Sequence, residues 1–200
     1  EKIEAAAANA EIDPADVAAC VGTKELVAGI PHWLDLRTPE RDTVLYPAVS
    51  YPTYEMGAIL AGCRPVAVPM DGRLDLDAVA PADADRALVL WVNSPGNPTG
   101  GAVPEAEIRK LIKGLERHPD VAIMSDEIYS QMLYEGRTHT SFLKFPEIRD
   151  RLIILDGWSK TYAMTGWRIG FSVWPKSLAE TATRLCVNSH SCVNAPTQFA

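Results

Sequence analysis

Short apolar runs recur along this chain with room for a helix between them, and that alternation limits the fold more than any other feature. TVLYPAV (43–49), RPVAVPM (64–70), ALVLWV (87–92), VAIM (121–124), RLIIL (151–155) and FSVW (171–174) read as strands. Between and around them, LVAGIPHWLDL (26–36) carries apolar residues at helical spacing. SYPTYEMGAILAGC (50–63) reads as a turn opening a helix, EAEIRKLIKGLERH (105–118) is amphipathic, and SLAETATRLCV (177–187) closes the series. Residues 1–12 read as a polar, alanine-rich helix, with Asp13-Pro14 punctuating the turn after it. Strands alternating with helices predict an α/β fold: an open, largely parallel sheet with helices on both faces. Ligands in such sheets collect at the carboxyl ends of the strands, so the residues just past each strand are where chemistry is expected.

At 200 residues and 47% hydrophobic content the chain can bury a substantial single core. A net charge of −7 argues against nucleic acid or an anionic membrane as the main partner. No apolar run approaches membrane-spanning length, and the N-terminal stretch does not read as a signal peptide. The four cysteines (20, 63, 186 and 192) are scattered without metal or redox spacing, which reads as reduced thiols in a cytoplasmic protein. His32, His118 and His139 show no metal-ligand spacing, and His190 reads as structural.

The stretches beyond the strands carry a distinctive set of side chains. DGWSKTYAMTGWRIGF follows RLIIL, and its glycines at 157, 166 and 170 predict a loop that presents Lys160. An amine presented this way can form an imine with a bound carbonyl compound. Arg168, on the same stretch, is a natural fork for a phosphate. Gly22, Thr23 and Lys24 open a helix, where backbone N–H groups and the dipole favour an anion. Tyr51, just past TVLYPAV, can stack on a planar ring, with Tyr54 as the nearby alternative. NSPGNPTG follows ALVLWV as a rigid turn carrying Asn97, and SDEIY ends the next strand with Asp126 and Tyr129. Taken singly, each has a plain structural alternative: a solvated lysine, an ordinary helix start, a core tyrosine, a turn, a solvated acidic pair.

Together and in this order, these motifs resemble the class I/II, aspartate-aminotransferase-like (fold type I) pyridoxal-phosphate enzymes. The likeness covers nearly the whole chain, and SKTYAMTGWRIG is similar to that family's Schiff-base lysine segment. The resemblance implies pyridoxal 5′-phosphate as cofactor and roles for each residue. Lys160 holds the cofactor and shuttles a proton, and Asp126 pairs with the ring nitrogen. Asn97 and Tyr129 bond its phenolic oxygen, and Tyr51 stacks on the ring. Arg168 with Gly22, Thr23 and Lys24 cradles the phosphate. Asp126 is preferred over Glu127, which is expected to face elsewhere. The implied substrates are an amino acid and a 2-keto acid, and the implied assembly is a homodimer. Members run to roughly twice this length, so 1–200 is expected to be the cofactor-binding large domain, a fragment without the N-terminal arm and the C-terminal small domain.

VGTKELVAGIPHWL, SYPTYEMGAILAG and LWVNSPGNPTGG are further similar to the succinyldiaminopimelate aminotransferases of lysine biosynthesis. That likeness implies glutamate as donor and N-succinyl-2-amino-6-ketopimelate as keto substrate. A carbon–sulfur β-lyase and a non-catalytic cofactor-binding relative remain alternatives, since one fold hosts several chemistries. The chain departs from the family pattern three residues before the lysine, where Gly157 replaces the usual Ser or Thr and removes one phosphate donor. Ser159 is the nearest hydroxyl to stand in for it.

Overall fold

The computed structural model describes residues 12–70 and 74–198; the expected helix over 1–12 lies almost wholly outside the described residues. Seven strands form one sheet: β1 (Val17–Cys20), β2 (Thr43–Pro47), β3 (Arg64–Val68), β4 (Ala87–Asn93), β5 (Ala122–Asp126), β6 (Leu152–Gly157) and β7 (Gly170–Val173). Their order across the sheet is β1-β7-β6-β5-β4-β2-β3. The five strands from β3 to β6 are parallel, whereas β7 runs antiparallel to both β6 and β1. The largely parallel α/β sheet expected from the alternation is present, with β7 as its one reversed strand.

Helices frame the sheet and its strand ends, among them α1 (Thr23–Arg37), α2 (Thr53–Leu60), α3 (Glu105–Leu115), the single turn α4 (Trp158–Thr161) and α5 (Lys176–His190). The central strands are buried on both faces because side chains alternate across a strand and helices cover each side. Along β6, Leu152 and Ile154 join one core while Ile153 and Leu155 join the other. The first core is closed by Ile108, Leu111, Ile112 and Leu115 of α3, at i, i+3, i+4 and i+7. Each of these buried side chains contributes roughly 1.5–3 kcal/mol relative to exposure. The second core is closed by α1, α2 and α5, through Leu26 and Ile30, Tyr54 and Ala58, and Ala179 and Ala182.

The topology decides where a ligand can sit. From β2 the chain goes outward to β3 and then returns to the other side of β2 as β4. The strand order therefore reverses at the β2/β4 boundary, which opens a crevice at the carboxyl ends of these strands. Register brings the neighbouring ends level: Asn93 of β4 pairs with Asp126 of β5, and Asp126 with Leu155 of β6.

One expectation is corrected. The lysine segment does not open as a loop: Trp158–Thr161 is a helical turn directly on the end of β6, and Lys160 lies exposed in it. Its glycines have another use. A Cβ at Gly157 would stand 2.9 Å from the Cα of Gly170, so the two glycines let β6 and the reversed β7 close on each other. Residues 17–20, where no element is expected from local pattern, form the edge strand β1 against β7.

Candidate active site

Every side chain singled out past a strand end faces one cavity of about 270 Å³. Lys160 and Arg168 enter it from the segment after β6, and Asp126 and Tyr129 from the end of β5. Asn97 comes from the turn after β4, Tyr51 from the segment after β2, and Gly22, Thr23 and Lys24 from the start of α1. Separate strand and helix ends thus each supply part of one wall. Ser159 also lines the cavity, on the side of the departure at Gly157.

Asp126 forms the floor. It is 5% exposed, and Tyr54 donates its phenol to Oδ2 at 2.8 Å while the Ile128 N–H reaches Oδ1 at 3.3 Å. Burial pushes its carboxyl up to about 6, further raised by the Glu127 charge and restrained by the Tyr54 and Ile128 bonds and by Lys160. Tyr54 is itself fully buried and stacks on Trp91, with ring centroids 4.7 Å apart. Burial and the Asp126 charge hold its phenol well above the usual tyrosine range, so it stays a neutral donor. Tyr54 is therefore not an alternative to Tyr51 as a ring-stacking group. Tyr51 lines the cavity, edge-on to Tyr54 at 5.9 Å, with the Lys24 ammonium 5.8 Å from its ring centroid.

Asn97 and Tyr129 meet as expected, Asn97 Nδ2 donating to the Tyr129 hydroxyl at 3.4 Å. What positions Asn97 is not visible in the sequence. Asn93 accepts the Asn97 N–H on its side-chain oxygen at 2.7 Å and donates its amide to the Asp126 carbonyl at 2.8 Å. It thereby ties the turn after β4 to the end of β5. By local pattern Asn93 is only part of a turn; Tyr54 reaches Asp126 across 72 positions, a separation no local pattern encodes.

The phosphate-binding candidates form a second corner. Gly22 has φ +80°, a conformation that suits glycine, and a Cβ there would lie 2.3 Å from Arg168 Nη2. Arg168 adopts the left-handed region itself (φ 51°), at a cost of order 1 kcal/mol for a residue with a side chain. Its guanidinium is held by the Val21 and Thr165 carbonyls, each accepting at 2.9 Å. Glu25 accepts the Val21 N–H at 2.9 Å, and His190 Nδ1 lies 2.6 Å from the other Glu25 oxygen. That arrangement puts His190 in a structural position at the start of α1. Among the described residues no cluster of His, Cys, Asp or Glu is arranged to hold a metal ion. The thiols of Cys20, Cys63 and Cys186 are all raised by burial and so stay protonated.

Replacing Tyr54 with Phe removes a donor to a buried carboxylate. The expected result is an Asp126 titration midpoint above about 6, read by NMR of labelled aspartate, and about 1–3 kcal/mol lost at neutral pH. The sign follows from linkage. Between the ordinary aspartate value and about 6 the folded chain binds this proton and the unfolded chain does not, so stability falls as pH rises through that window. In Tyr54→Phe the window extends to higher pH. An unchanged midpoint would mean the phenol does not govern this carboxyl.

Comparison with known proteins agrees with this geometry. The family model described as aminotransferase class I and II matches residues 3–200. The LL-diaminopimelate aminotransferase of Aquifex aeolicus is 36% identical over 186 residues, covering 90% of this chain and 47% of the relative. Among solved structures, the aspartate aminotransferase of Rhizobium meliloti superposes with a TM-score of 0.81 at 28% identity, covering 94% of this chain and 47% of that one. The probable N-succinyldiaminopimelate aminotransferase of Thermus thermophilus gives 0.72 at 31%, covering 87% and 46%. The chain thus spans about half the length of the relatives it matches. With nearly its whole length matched by the family model and its sheet shared with these structures, the chain belongs to the class I and II aminotransferases, a family that works with pyridoxal phosphate.

Proposed function

We propose that this chain is the cofactor-binding domain of a pyridoxal-phosphate aminotransferase that moves an amino group between an amino acid and a 2-keto acid. The observation that carries the reading is the convergence on one cavity of Lys160 and Arg168, from the segment after β6, with Asp126, from the end of β5. The donor set fits a phosphorylated pyridine aldehyde. An amine is available for the aldehyde, a carboxylate for the ring nitrogen, an aromatic wall for the ring face, and a cation beside a helix start for the phosphate.

Pyridoxal phosphate, when bound, supplies an aldehyde for amine exchange and a ring that withdraws electrons from the substrate α-carbon. The chain's own residues do the rest. Arg168 and the N–H groups of Gly22, Thr23 and Lys24 bind the phosphate. Asp126 holds a proton on the ring nitrogen, and that positive neighbour in turn favours the ionised carboxylate. Asn97 and Tyr129 would bond the phenolic oxygen and hold the ring against rotation. Tyr51 covers one ring face and excludes water from it. Lys160 would anchor the cofactor, and its Nζ, once freed, would take up the proton from the substrate α-carbon.

For substrates we favour glutamate as donor and N-succinyl-2-amino-6-ketopimelate as keto acid. Support comes from the sequence likeness to succinyldiaminopimelate aminotransferases and from the Thermus neighbour bearing that name. A homodimer is the proposed assembly, supported by the apolar side chains of Met56, Ile59 and Leu60 that α2 leaves exposed on one face. The test is an absorbance spectrum of the protein with pyridoxal phosphate, before and after glutamate, followed by transfer assays. The expected result is a visible band that shifts on glutamate addition and returns with the succinylated keto acid. A band that ignores amino donors while cystathionine yields pyruvate and a thiol would replace transfer by β-elimination. Return with other keto acids only would remove the substrate assignment and leave the reaction.

A further inference from the structure

Outside the residues that line the cavity, one buried carboxylate–imidazole pair stands out. Glu127 follows Asp126 directly but turns to the opposite side, and its side chain is 5% exposed. One oxygen accepts the Ser125 hydroxyl at 3.0 Å and the Phe142 N–H at 3.0 Å. The other lies 2.8 Å from His139 Nε2, whose side chain is only 10% exposed. His139 Nδ1 is buried with no hydrogen-bond partner among the described residues, so the shared proton belongs on Nε2, which donates to the carboxylate.

The position of this pair matters more than its burial. Residues 127–141 contain no helix or strand, yet they carry Tyr129 into the cavity. They also carry Met132, Tyr134 and Arg137 into an adjoining groove of about 480 Å³, which shares Asn97 and Tyr129 with the first. A segment without a ladder of its own needs another constraint. Glu127 supplies it by bonding His139 and Phe142 at the far end of the segment, which closes the segment into a ring around one carboxylate. Inside that ring the Ser130 N–H bonds the Glu127 carbonyl at 2.8 Å and the Met132 N–H bonds the Tyr129 carbonyl at 2.8 Å. Tyr129, whose hydroxyl accepts from Asn97 Nδ2 at 3.4 Å, lies within that ring.

We propose that Glu127 and His139 form a buried clip that positions Tyr129 at the cofactor cavity. Neither residue touches the cavity, so both are positioning residues acting through Tyr129. The inference rests on the proposed function only for the meaning of Tyr129's position; the clip itself is a property of the chain.

Two measurements test it. The first needs no cofactor: hydrogen exchange of the 129–141 amides in wild type, His139→Ala, Glu127→Ala and Glu127→Gln. Opening a buried hydrogen-bonded ring is expected to speed exchange there by on the order of tenfold in both alanine variants, with β4 and β5 unchanged. Glu127→Gln keeps an acceptor for Ser125 and Phe142, but donating to His139 Nε2 would move the imidazole proton to the partnerless Nδ1, so it should restore protection only in part, between wild type and Glu127→Ala. Unchanged exchange in the alanine variants, or loosening spread over the whole sheet, overturns the clip.

The second measurement is a double-mutant cycle of His139→Ala with Tyr129→Phe, read as the dissociation constant for pyridoxal phosphate from its absorbance. If His139 acts through Tyr129, its loss weakens binding in wild type and adds little in Tyr129→Phe. Independent, additive losses would overturn the positioning role. A wild type that takes up no cofactor but shows the exchange pattern would leave the clip standing and sink the proposed function instead.

Discussion

Lys160→Ala is expected to abolish the visible band of the protein with pyridoxal phosphate and to lower amino transfer by about four orders of magnitude, the upper end for removing a positioned acid–base group. The expectation comes from place as well as residue type. Lys160 stands on a helical turn fixed to the end of β6, exposed at its tip and in the same cavity as Asp126 and Arg168. No other lysine on that stretch can replace it; Lys24, across the cavity, is engaged with the ring of Tyr51. Lys160→Arg is the informative companion. Arginine keeps the charge and much of the length but stays protonated at any working pH, so it neither attacks an aldehyde nor takes up a proton. It should therefore fail as completely as alanine. Transfer surviving in Lys160→Arg would show that the lysine contributes charge alone. A band surviving in Lys160→Ala would move the attachment point to another amine and overturn the reading of the whole segment.

The sequence makes some of this legible and hides the rest for identifiable reasons. Local periodicity locates β2 to β7 and the helices α1, α2, α3 and α5, because each buries a face whose spacing is written in consecutive residues. It fails where long-range geometry decides. β1 is a four-residue edge strand recognisable only by its partner β7, which pairs Val17 with Val173 at the far end of the chain. The glycines around Lys160 look like loop formers because a glycine's openness and a glycine's thinness leave the same letter. Here thinness is used, at Gly157 against Gly170, and the lysine turn is helical. In the site, residues directly past strand ends can be found because strand ends are visible. Tyr54 and Asn93, which hold Asp126 and Asn97 in place, cannot be recognised for that work, since it depends on contacts across the sheet.

Asp126→Asn carries the second large effect, and it separates charge from shape. The substitution keeps the size of the floor residue and one oxygen to accept from Tyr54, yet it cannot hold a negative charge beside the ring nitrogen. Burial already raises the Asp126 carboxyl to about 6, so near neutrality the fold holds an ionised group at the edge of its tolerance. A cationic partner relieves that tension, which is why the charge interaction at this position should exceed what an exposed pair would contribute. Transfer is expected to fall on the order of a hundred- to a thousandfold in Asp126→Asn, the range for losing one preorganised electrostatic partner. Binding of pyridoxal phosphate should weaken far less, because the phosphate corner and the Lys160 attachment are untouched. Without cofactor, the variant should be at least as stable as the wild type above pH 6, since it removes a buried charge the fold must otherwise accommodate. Measuring transfer, cofactor affinity and thermal stability on one preparation therefore distinguishes the possibilities. A loss of stability equal to the loss of activity would make Asp126 a structural acid, whereas a stable, cofactor-loaded and nearly inactive variant is what a charge partner for the ring requires.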